Sequence, residues 1–267
     1  MTPYPTPLML LPQALNLLML FPQKLGWIFR GQSDASWELM PRAGRRPFYK
    51  SFESSQPVIS EKPSSKRNPP RDLGRFNHWR NLAEGYTEKL PKNDFEALAI
   101  AQHYGLPTRL LDWTENPLAA LYFASEENYG IDGSVFAYFP QKFVDIEVAD
   151  LFNFPYVACL LVKPFDRRFL AQRASFIHFN EPATPLTPKI FEETRFKEMN
   201  CGDFDLVKFI IPADAKTIIY RQLMDVGITR RTLFPDLEGL SQDFVREALY
   251  QEAFDQAFKK QFKDNPN

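Results

Sequence analysis

The densest group of side chains that could do chemistry lies in residues 102–117, whose sequence is QHYGLPTRLLDWTENP. Gly105 can take the left-handed conformation that ends a helix, and Pro107 prevents the helix from continuing. Residues 108–113 are therefore expected to be extended. A simple connection between two helices does not require so many hydrogen-bonding and aromatic groups, and we interpret this segment as the floor of a binding or catalytic site.

Each reactive group in this segment also has a purely structural interpretation. His103 stands close to the expected helix end, where it could interact with the helix dipole. Asp112 could cap the next helix, and Trp113 could belong to the core. Side chains alternate along an ideal strand, so Arg109 and Asp112 can share a pocket only if the strand is bulged or twisted.

Helices are expected on both sides of this segment. Asn93 or Asp94 is a suitable cap for the helix that precedes it. Thr114 is expected to cap the helix that follows, which runs through Ala124 with Pro117 in its first turn.

The rest of the chain alternates between short apolar runs and helical patterns. Strands are expected at residues 26–32, 133–139, 157–162, 169–179 and 206–211, and extended structure at residues 37–41. The run at 157–162 is apolar throughout, which is typical of a central strand. Helices are expected at residues 214–226, with Gly227 as a stop, and at residues 241–262. The pattern predicts an α+β fold with a mixed central β-sheet flanked by helices and a C-terminal helical segment.

The composition divides the chain into three parts. We expect an N-terminal helix in residues 1–25, an α+β domain in residues 26–240 and a C-terminal helix in residues 241–267. Residues 53–72 are rich in proline, serine and charged side chains. We expect them to form a flexible insertion, because so little apolar surface cannot offset the entropy lost when the backbone is ordered.

Charge and cysteine content narrow the classes of function. The formal net charge is −1 and the pI is about 6.3, so the chain has no overall basic field that would hold nucleic acid nonspecifically. A local basic patch is compatible with these values, and nucleic acid stays among the candidate partners. Cys159 and Cys201 are far apart and the histidines are scattered, so no metal site is expected.

An apolar stretch at residues 8–21 raises the question of a signal peptide or a membrane anchor. The stretch lacks a basic start, is interrupted by Pro12, Gln13 and Asn16, and is too short to span a bilayer. We interpret it as a buried helix and expect a cytoplasmic protein without membrane association.

Three stretches resemble the motifs of the FRG-domain family, which is named for its Phe-Arg-Gly triplet. They are WIFRGQ at residues 27–32, AQHYGLPTRLLDWT at residues 101–114 and ALYFA at residues 120–124. The separated motifs occur in the order typical of the family, and the resemblance covers roughly residues 27–179. Residues 227–239 are similar to the tail usual in this family.

A weaker similarity links the same elements to ADP-ribosyltransferases of the arginine-serine-glutamate type. It implies an ADP-ribosyltransferase-like fold with NAD as the cofactor. Arg30 matches the arginine that holds the NAD phosphate or ribose in these enzymes. Residues 112–114 match the strand that braces the nicotinamide pocket, and residues 119–124 match the helix that follows it.

The catalytic glutamate of these transferases has no clear counterpart in the chain. The corresponding FRG feature is Arg168-x-x-x-Gln172-x-x-x-Phe176, in which Ala174 stands where glycine is usual. Gln172 carries no negative charge, whereas a carboxylate stabilises the positive charge that develops on ribose as nicotinamide leaves.

Two classes of function therefore remain open. In the first, the chain is a nucleotide-processing enzyme of the ADP-ribosyltransferase or NAD glycohydrolase type. Its candidate catalytic residues are His103, Asp112 and Gln172, and its candidate cofactor-binding residues are Arg30, Gln32, Tyr104, Arg109, Trp113 and Thr114. In the second, the same cleft binds a nucleotide, nucleic acid or peptide without turnover. A carboxylate near the cleft would favour the enzyme, and the candidates are Glu147, Glu181, Glu192 and Glu193.

Overall fold

The computed structural model describes residues 11–21, 26–49, 71–187, 189–190 and 206–263. Its helices are α1 (Leu11–Leu18), α2 (Arg71–Ala83), α3 (Asp94–His103), α4 (Pro117–Ser125), α5 (Arg167–Ala171), α6 (Ala213–Asp225), α7 (Arg230–Leu233) and α8 (Leu237–Lys263). Its strands are β1 (Ile28–Gln32), β2 (Leu110–Thr114), β3 (Gly133–Tyr138), β4 (Phe143–Val144), β5 (Ala158–Leu160), β6 (Ala174–His178), β7 (Lys189–Ile190) and β8 (Leu206–Ile211).

The strands form a single sheet in the order β4-β5-β6-β2-β1-β3-β8-β7. Neighbouring strands are antiparallel except for the short edge pairs β4–β5 and β7–β8, which are parallel. The sheet is therefore mixed, and helices flank it. The prediction of an α+β fold with a mixed central sheet is confirmed.

The two halves of the sheet are joined weakly in the middle. β1 shares five register pairs with β3, and β2 shares five with β6. Between β1 and β2, which are both fully described, Phe29 and Thr114 form the one register pair. The two strands diverge beyond this pair, and a gap opens between the halves of the sheet.

Each half of the sheet has its own layer of helices. Helices α1, α4 and α6 pack over the half that contains β1, β3 and β8, and they enclose Phe29 and Phe209. Helices α2 and α3 pack over β2, β5 and β6, where Phe76 and Phe95 are buried. A third apolar cluster, which includes Ile28, Trp113 and Ile177, draws residues from both halves.

Helix α4 lies directly against β1 because both elements are made of small residues at the contact. Ala119, Ala120 and Ala124 are completely buried. A side chain at Gly31 would overlap with the backbone of Ala120. The absence of a Cβ at Gly31 therefore sets how closely the strand and the helix approach.

Several sequence-based boundaries are confirmed. Asn93 caps α3, and its side chain accepts hydrogen bonds from the backbone N–H groups of Phe95 and Glu96. Gly105 closes this helix with φ +91°, and Gly227 follows α6 with φ +84°. These glycines take the left-handed conformation that the sequence pattern required of them.

Three predictions are wrong in detail. Thr114 is the last residue of β2, and the cap of α4 is Asn116, whose side chain accepts from Leu118 N. β5 lies second from the edge of the sheet, because the two-residue strand β4 alone separates it from solvent. Residues 169–179 begin within helix α5, and the strand in this stretch starts at Ala174.

The N-terminal, insertion and C-terminal predictions are tested only where the chain is described. Leu11, Ala14 and Leu18 of α1 are buried, in line with the predicted buried helix at residues 8–21. Of the predicted insertion, residues 53–70 lie outside the described residues, whereas its last two residues already belong to α2. The last helix begins at Leu237, four residues before the predicted start.

Candidate functional site

A cavity of about 340 Å³ lies where β1 and β2 diverge. Its lining includes seven of the nine residues singled out from the sequence, namely Arg30, Gln32, His103, Asp112, Trp113, Thr114 and Gln172. These residues come from β1, β2, the end of α3 and the turn after α5. The gap in the sheet thus collects side chains that are spread over more than half of the chain, and their chemical roles stay predictions.

Arg30 contributes a guanidinium group that is only partly used by the protein. Its Nη1 donates to the backbone carbonyl of Asp112 at 2.5 Å, which ties β1 to β2 across the gap. Its Nε is buried and has no hydrogen-bond partner among the described residues. Desolvation lowers the pKa of Arg30 to about 10; Asp112 opposes this shift and Arg45 adds to it. The group is still a cation at neutral pH.

The carboxylate of Asp112 is exposed and is held by a neighbouring amide. Gln102 Nε2 donates to Asp112 Oδ1 at 2.8 Å, and the Thr108 hydroxyl donates to Gln102 Oε1. Asp112 therefore does not cap α4. It presents a carboxylate of fixed orientation at the wall of the cavity.

His103 is the last residue of α3 and pairs with a carboxylate on α5. Its Nε2 lies 2.7 Å from Asp166 Oδ2, and its ring packs edge-on against Phe165 with centroids 5.5 Å apart. When Nε2 donates its proton to Asp166, Nδ1 is the nitrogen that can accept a proton. The carboxylate of Asp166, the cap of α5, thus fixes the orientation of the His103 ring.

Gln172 holds structural elements together. Its backbone carbonyl accepts a hydrogen bond from the Thr114 hydroxyl at 2.6 Å, and its side-chain Nε2 donates to the carbonyl of Leu233 at 3.1 Å. The sequence singled out Gln172 as a catalytic candidate. These contacts instead commit its amide nitrogen to connecting the cavity wall with α7.

Two predicted cofactor-binding residues lie outside the lining. Tyr104 follows α3 with 77% of its surface exposed and packs edge-on against His103. Arg109 is buried and donates two hydrogen bonds, of 2.7 and 2.9 Å, to the carboxylate of Asp72. Arg109 also donates to the carbonyl of Asn180. All three of its guanidinium nitrogens donate to protein acceptors, so these contacts disfavour the cofactor-binding role of Arg109, which stays a prediction.

The carboxylates at the cavity are not the ones considered from the sequence. Glu147 and Glu181 are absent from its lining, and residues 192–193 lie outside the described residues. Instead, Glu126 and Glu127, directly after α4, line the cavity. The sequence could have indicated these two residues, because they follow the ALYFA motif by two and three positions, at the end of a helix that packs on β1.

Glu126 is enclosed by cations and aromatic rings. Its Oε2 lies 3.0 Å from Arg246 Nη1 and 3.2 Å from Arg230 Nη1. Burial raises the pKa of Glu126, the two arginines lower it and Glu127 raises it again. The Tyr122 hydroxyl also lowers it. Glu126 is thus a desolvated carboxylate held by a pair of charges.

Residues after α6 contact two side chains that line the cavity, Arg168 and Glu126. Arg230 lies over the ring of Phe234, 3.8 Å from its centroid, and Arg168 lies 4.4 Å from the same centroid. Arg168 lines the cavity and was not among the candidates from the sequence. The tail identified by resemblance therefore holds Arg168 and Glu126 in place without lining the cavity itself.

Comparison with known families assigns the part of the chain that forms the first half of this site. Residues 26–131 match the FRG domain. The chain carries an FRG domain. The matched range contains Arg30, Asp112 and Glu126, and it ends directly before β3. No curated protein and no solved structure matches the chain.

The triplet that names the FRG domain has a simple physical explanation in β1. Phe29 is completely buried in the core beneath α4. Arg30, the next residue, points to the other side of the strand and lines the cavity. Gly31 faces the helix again, where a side chain would collide with Ala120. Phe29 thus packs in the core, Arg30 lines the cavity, and Gly31 lets the helix approach the strand.

Two kinds of feature are missing from the described residues. Among the described residues, no helix has both the length and the apolar character needed to cross a membrane. The same residues contain no group of three or more histidine, cysteine or acidic side chains placed around a common metal position.

Proposed function

We propose that the cavity of this FRG domain binds a nucleotide that carries a diphosphate, with NAD as the first candidate. Arg30 carries the proposal. A guanidinium pairs with phosphate oxygens through two parallel hydrogen bonds, and Arg30 faces the cavity with a buried Nε that has no described partner. A phosphate placed there would satisfy that donor.

The remaining walls suit the apolar and polar parts of a nucleotide. Trp113, Phe165 and Phe169 line the cavity and offer aromatic surfaces to a base or nicotinamide ring. Trp113 Nε1 and Gln32 Oε1 are buried without a described partner, so they provide one donor and one acceptor. The cavity volume of about 340 Å³ falls within the range of small-molecule sites.

In the first form of the proposal, the carboxylates and the imidazole at the cavity support cleavage at the ribose of NAD. The bond between C1′ and the nicotinamide nitrogen breaks, and its electron pair leaves with nicotinamide. A positive charge develops on the ribose, and the carboxylate of Asp112, Glu126 or Glu127 would stabilise it. An acceptor oxygen then bonds to C1′, and His103 takes its proton. The activity would be NAD glycohydrolysis or ADP-ribosyl transfer.

A second candidate function is binding without turnover. The observation that favours it is the double pairing of Glu126 with Arg230 and Arg246, which neutralises the most enclosed carboxylate of the cavity. In that case, Asp112 and His103 position the ligand and no bond is broken.

Calorimetry of NAD, ADP-ribose and ATP with the full chain tests the proposal, together with an assay for nicotinamide release. The Arg30→Lys variant keeps the positive charge but loses the paired N–H donors that can bind a phosphate through two hydrogen bonds. It should weaken nucleotide binding about tenfold, or about 1.4 kcal/mol, with little change in melting temperature. Arg231→Lys is the control, because Arg231 is exposed and does not line the cavity. The proposal fails if none of the three nucleotides binds, or if Arg30→Lys lowers only the melting temperature. Nucleotide binding without nicotinamide release selects the second candidate.

A further inference from the structure

Arginines that lack a carboxylate partner are concentrated beside the mouth of the cavity. Elsewhere in the described chain, arginines commonly pair with a carboxylate, as seen for Arg80, Arg109, Arg173, Arg221, Arg230, Arg231 and Arg246. The described arginines for which no ion pair with a described carboxylate is seen are Arg30, Arg42, Arg45, Arg46, Arg75, Arg167 and Arg168. Four of these seven lie in the segment after β1 or in α2, and we call Arg42, Arg45, Arg46 and Arg75 the basic rim.

Direct contacts join the basic rim to the end of α3. Arg42 Nη1 donates to the carbonyl of Gly105 at 3.3 Å, directly after the exposed Tyr104. Arg42 and Arg75 both lie over the ring of Phe48, at 5.2 and 5.9 Å from its centroid. Arg75 also donates to the Phe48 carbonyl. The rim is therefore a set of guanidinium groups held in place by backbone carbonyls and one ring.

Arg45 connects the rim to the cavity. Its Nε and Nη2 both donate to the carbonyl of Met40, at 3.0 and 2.7 Å. Its Nη1 has no described acceptor and can bind another group. Arg45 interacts electrostatically with Arg42, Arg30 and Asp112, so positive charge continues from the rim to the cavity wall.

Few acidic groups offset this charge. Asp112 faces Arg30 and Arg45, and Gln102 already occupies one of its oxygens. Glu38 is an exposed residue of the segment between β1 and the rim. Asp72 is already paired with Arg109, and Glu181 precedes Pro182, whose carbonyl an added Cβ at Gly44 would meet. The four rim arginines and Arg30 still outnumber Asp112, Glu38 and Glu181, although the whole chain has a net charge of −1.

Exposed aromatic rings accompany the arginines. Trp37 lines the cavity with 45% of its surface exposed, and Tyr104 is 77% exposed beside the Arg42 contact. Large rings that are left in solvent next to fixed guanidinium groups are the combination that binds single-stranded nucleic acid, since bases stack on the rings and phosphates pair with the cations. A duplex would offer phosphates but not base faces.

We propose that the basic rim, Trp37 and Tyr104 bind a single strand of nucleic acid. The strand would run along the rim with its phosphates on Arg42, Arg45 and Arg46. Its bases would stack on Tyr104 and Trp37, which brings the strand to the mouth of the cavity. This inference concerns a surface that shares Trp37 with the lining of the nucleotide pocket and otherwise lies outside that lining, and it does not depend on NAD binding there.

Fluorescence anisotropy with a labelled twelve-nucleotide oligothymidylate and its RNA equivalent tests the inference. The Arg42→Glu/Arg45→Glu variant should lose at least tenfold in affinity for both strands. Arg46→Glu, at an exposed residue, should also weaken binding and should lower the slope of log affinity against log salt by about 0.7 for the lost phosphate contact. The Trp37→Ala/Tyr104→Ala variant should weaken binding to the oligothymidylate but not to an abasic strand of equal length.

The controls separate this inference from a general effect of charge. Lys89→Glu changes an exposed cation at the turn after α2 and should leave binding unchanged. Melting temperatures of all variants should stay close to that of the parent, and Arg46→Glu keeps the test valid if the double variant is unstable. Equal binding to duplex DNA or to vesicles of anionic lipid, or equal loss in Lys89→Glu, overturns the inference. NAD binding without oligonucleotide binding would reject the rim and leave the proposed function intact.

Discussion

Gly31 and Ala120 approach each other so closely that no side chain fits between them. A Cβ built on Gly31 would overlap with the Ala120 carbonyl oxygen and lie 2.8 Å from the backbone nitrogen of Ala124. The glycine of the FRG triplet therefore serves the packing of α4 on β1.

Gly31→Ala is expected to destabilise the protein by about 3 kcal/mol, because backbone atoms of α4 cannot move aside without displacing the helix. Urea unfolding measures the change. Gly74→Ala is a matched control inside α2, where an added Cβ meets no other atom. It should stabilise the protein by about 0.5–1 kcal/mol, as alanine is favoured over glycine within a helix. Similar effects of the two substitutions would contradict the close contact.

Asp72→Asn is expected to cost about 3–5 kcal/mol, because it leaves the guanidinium of Arg109 buried without its counter-charge. Asp72→Leu combined with Arg109→Met removes both charges and should be close to neutral in stability. Denaturant titrations of the parent, the Asp72→Asn variant and the double variant check this order of stability. Nucleotide affinity should be the same in the double variant and the parent, and a loss of affinity there would return Arg109 to the list of ligand-binding residues.

Stability should fall as the pH is lowered from about 6.5 to about 4 because of His178. This imidazole is completely buried; its Nδ1 donates to the Tyr156 carbonyl, and burial lowers its pKa from 6.5 to about 4. The unfolded chain takes up the proton first, so the contribution is fully present above about pH 6.5 and is lost towards pH 4. The free energy of unfolding should fall by roughly 3 kcal/mol, since each unit of difference between the folded and unfolded pKa contributes about 1.4 kcal/mol.

The contribution of His178 can be separated from that of the carboxylates by a variant that does not titrate. His178→Asn keeps a donor for Tyr156, and its unfolding free energy should depend less on pH between 4 and 6.5 than that of the parent. Parallel curves for the two proteins would show that another group is responsible.

Lys216→Met should destabilise the protein by about 3 kcal/mol and weaken ligand binding in the cavity. The ammonium group of Lys216 is completely buried and donates to the carbonyls of Ser33, Glu127, Asn128 and Ile131 at 2.6–3.2 Å. Removing it leaves these acceptors unsatisfied. Ser33 and Glu127 line the cavity, so the wall that they form would loosen.

Lys208→Met is the control for this effect. Lys208 is partly buried and donates to the carbonyl of Ala35 alone among the described residues. Its replacement should cost about 1 kcal/mol and leave ligand affinity unchanged. Calorimetry and urea unfolding on both variants give the comparison, and equal costs would show that the four acceptors of Lys216 do not act together.

The sequence by itself determined the features that depend on neighbouring residues. Gly105 and Pro107 mark the end of α3, because glycine takes the left-handed conformation most readily and proline prevents the helix from continuing. Asn93 caps α3 because its side chain reaches N–H groups two and three residues ahead. The FRG triplet identified the strand that carries the arginine of the site, since alternation along a strand is a local property.

Tertiary structure decided which of these residues share a site. Arg109 and Asp112 are three residues apart, yet one pairs with Asp72 on α2 and the other faces the cavity. Glu126 became the enclosed carboxylate because Arg230 and Arg246 reach it from more than 100 positions further along the chain. A sequence pattern records spacing along the chain, whereas burial and charge pairing depend on residues that only the folded chain brings together.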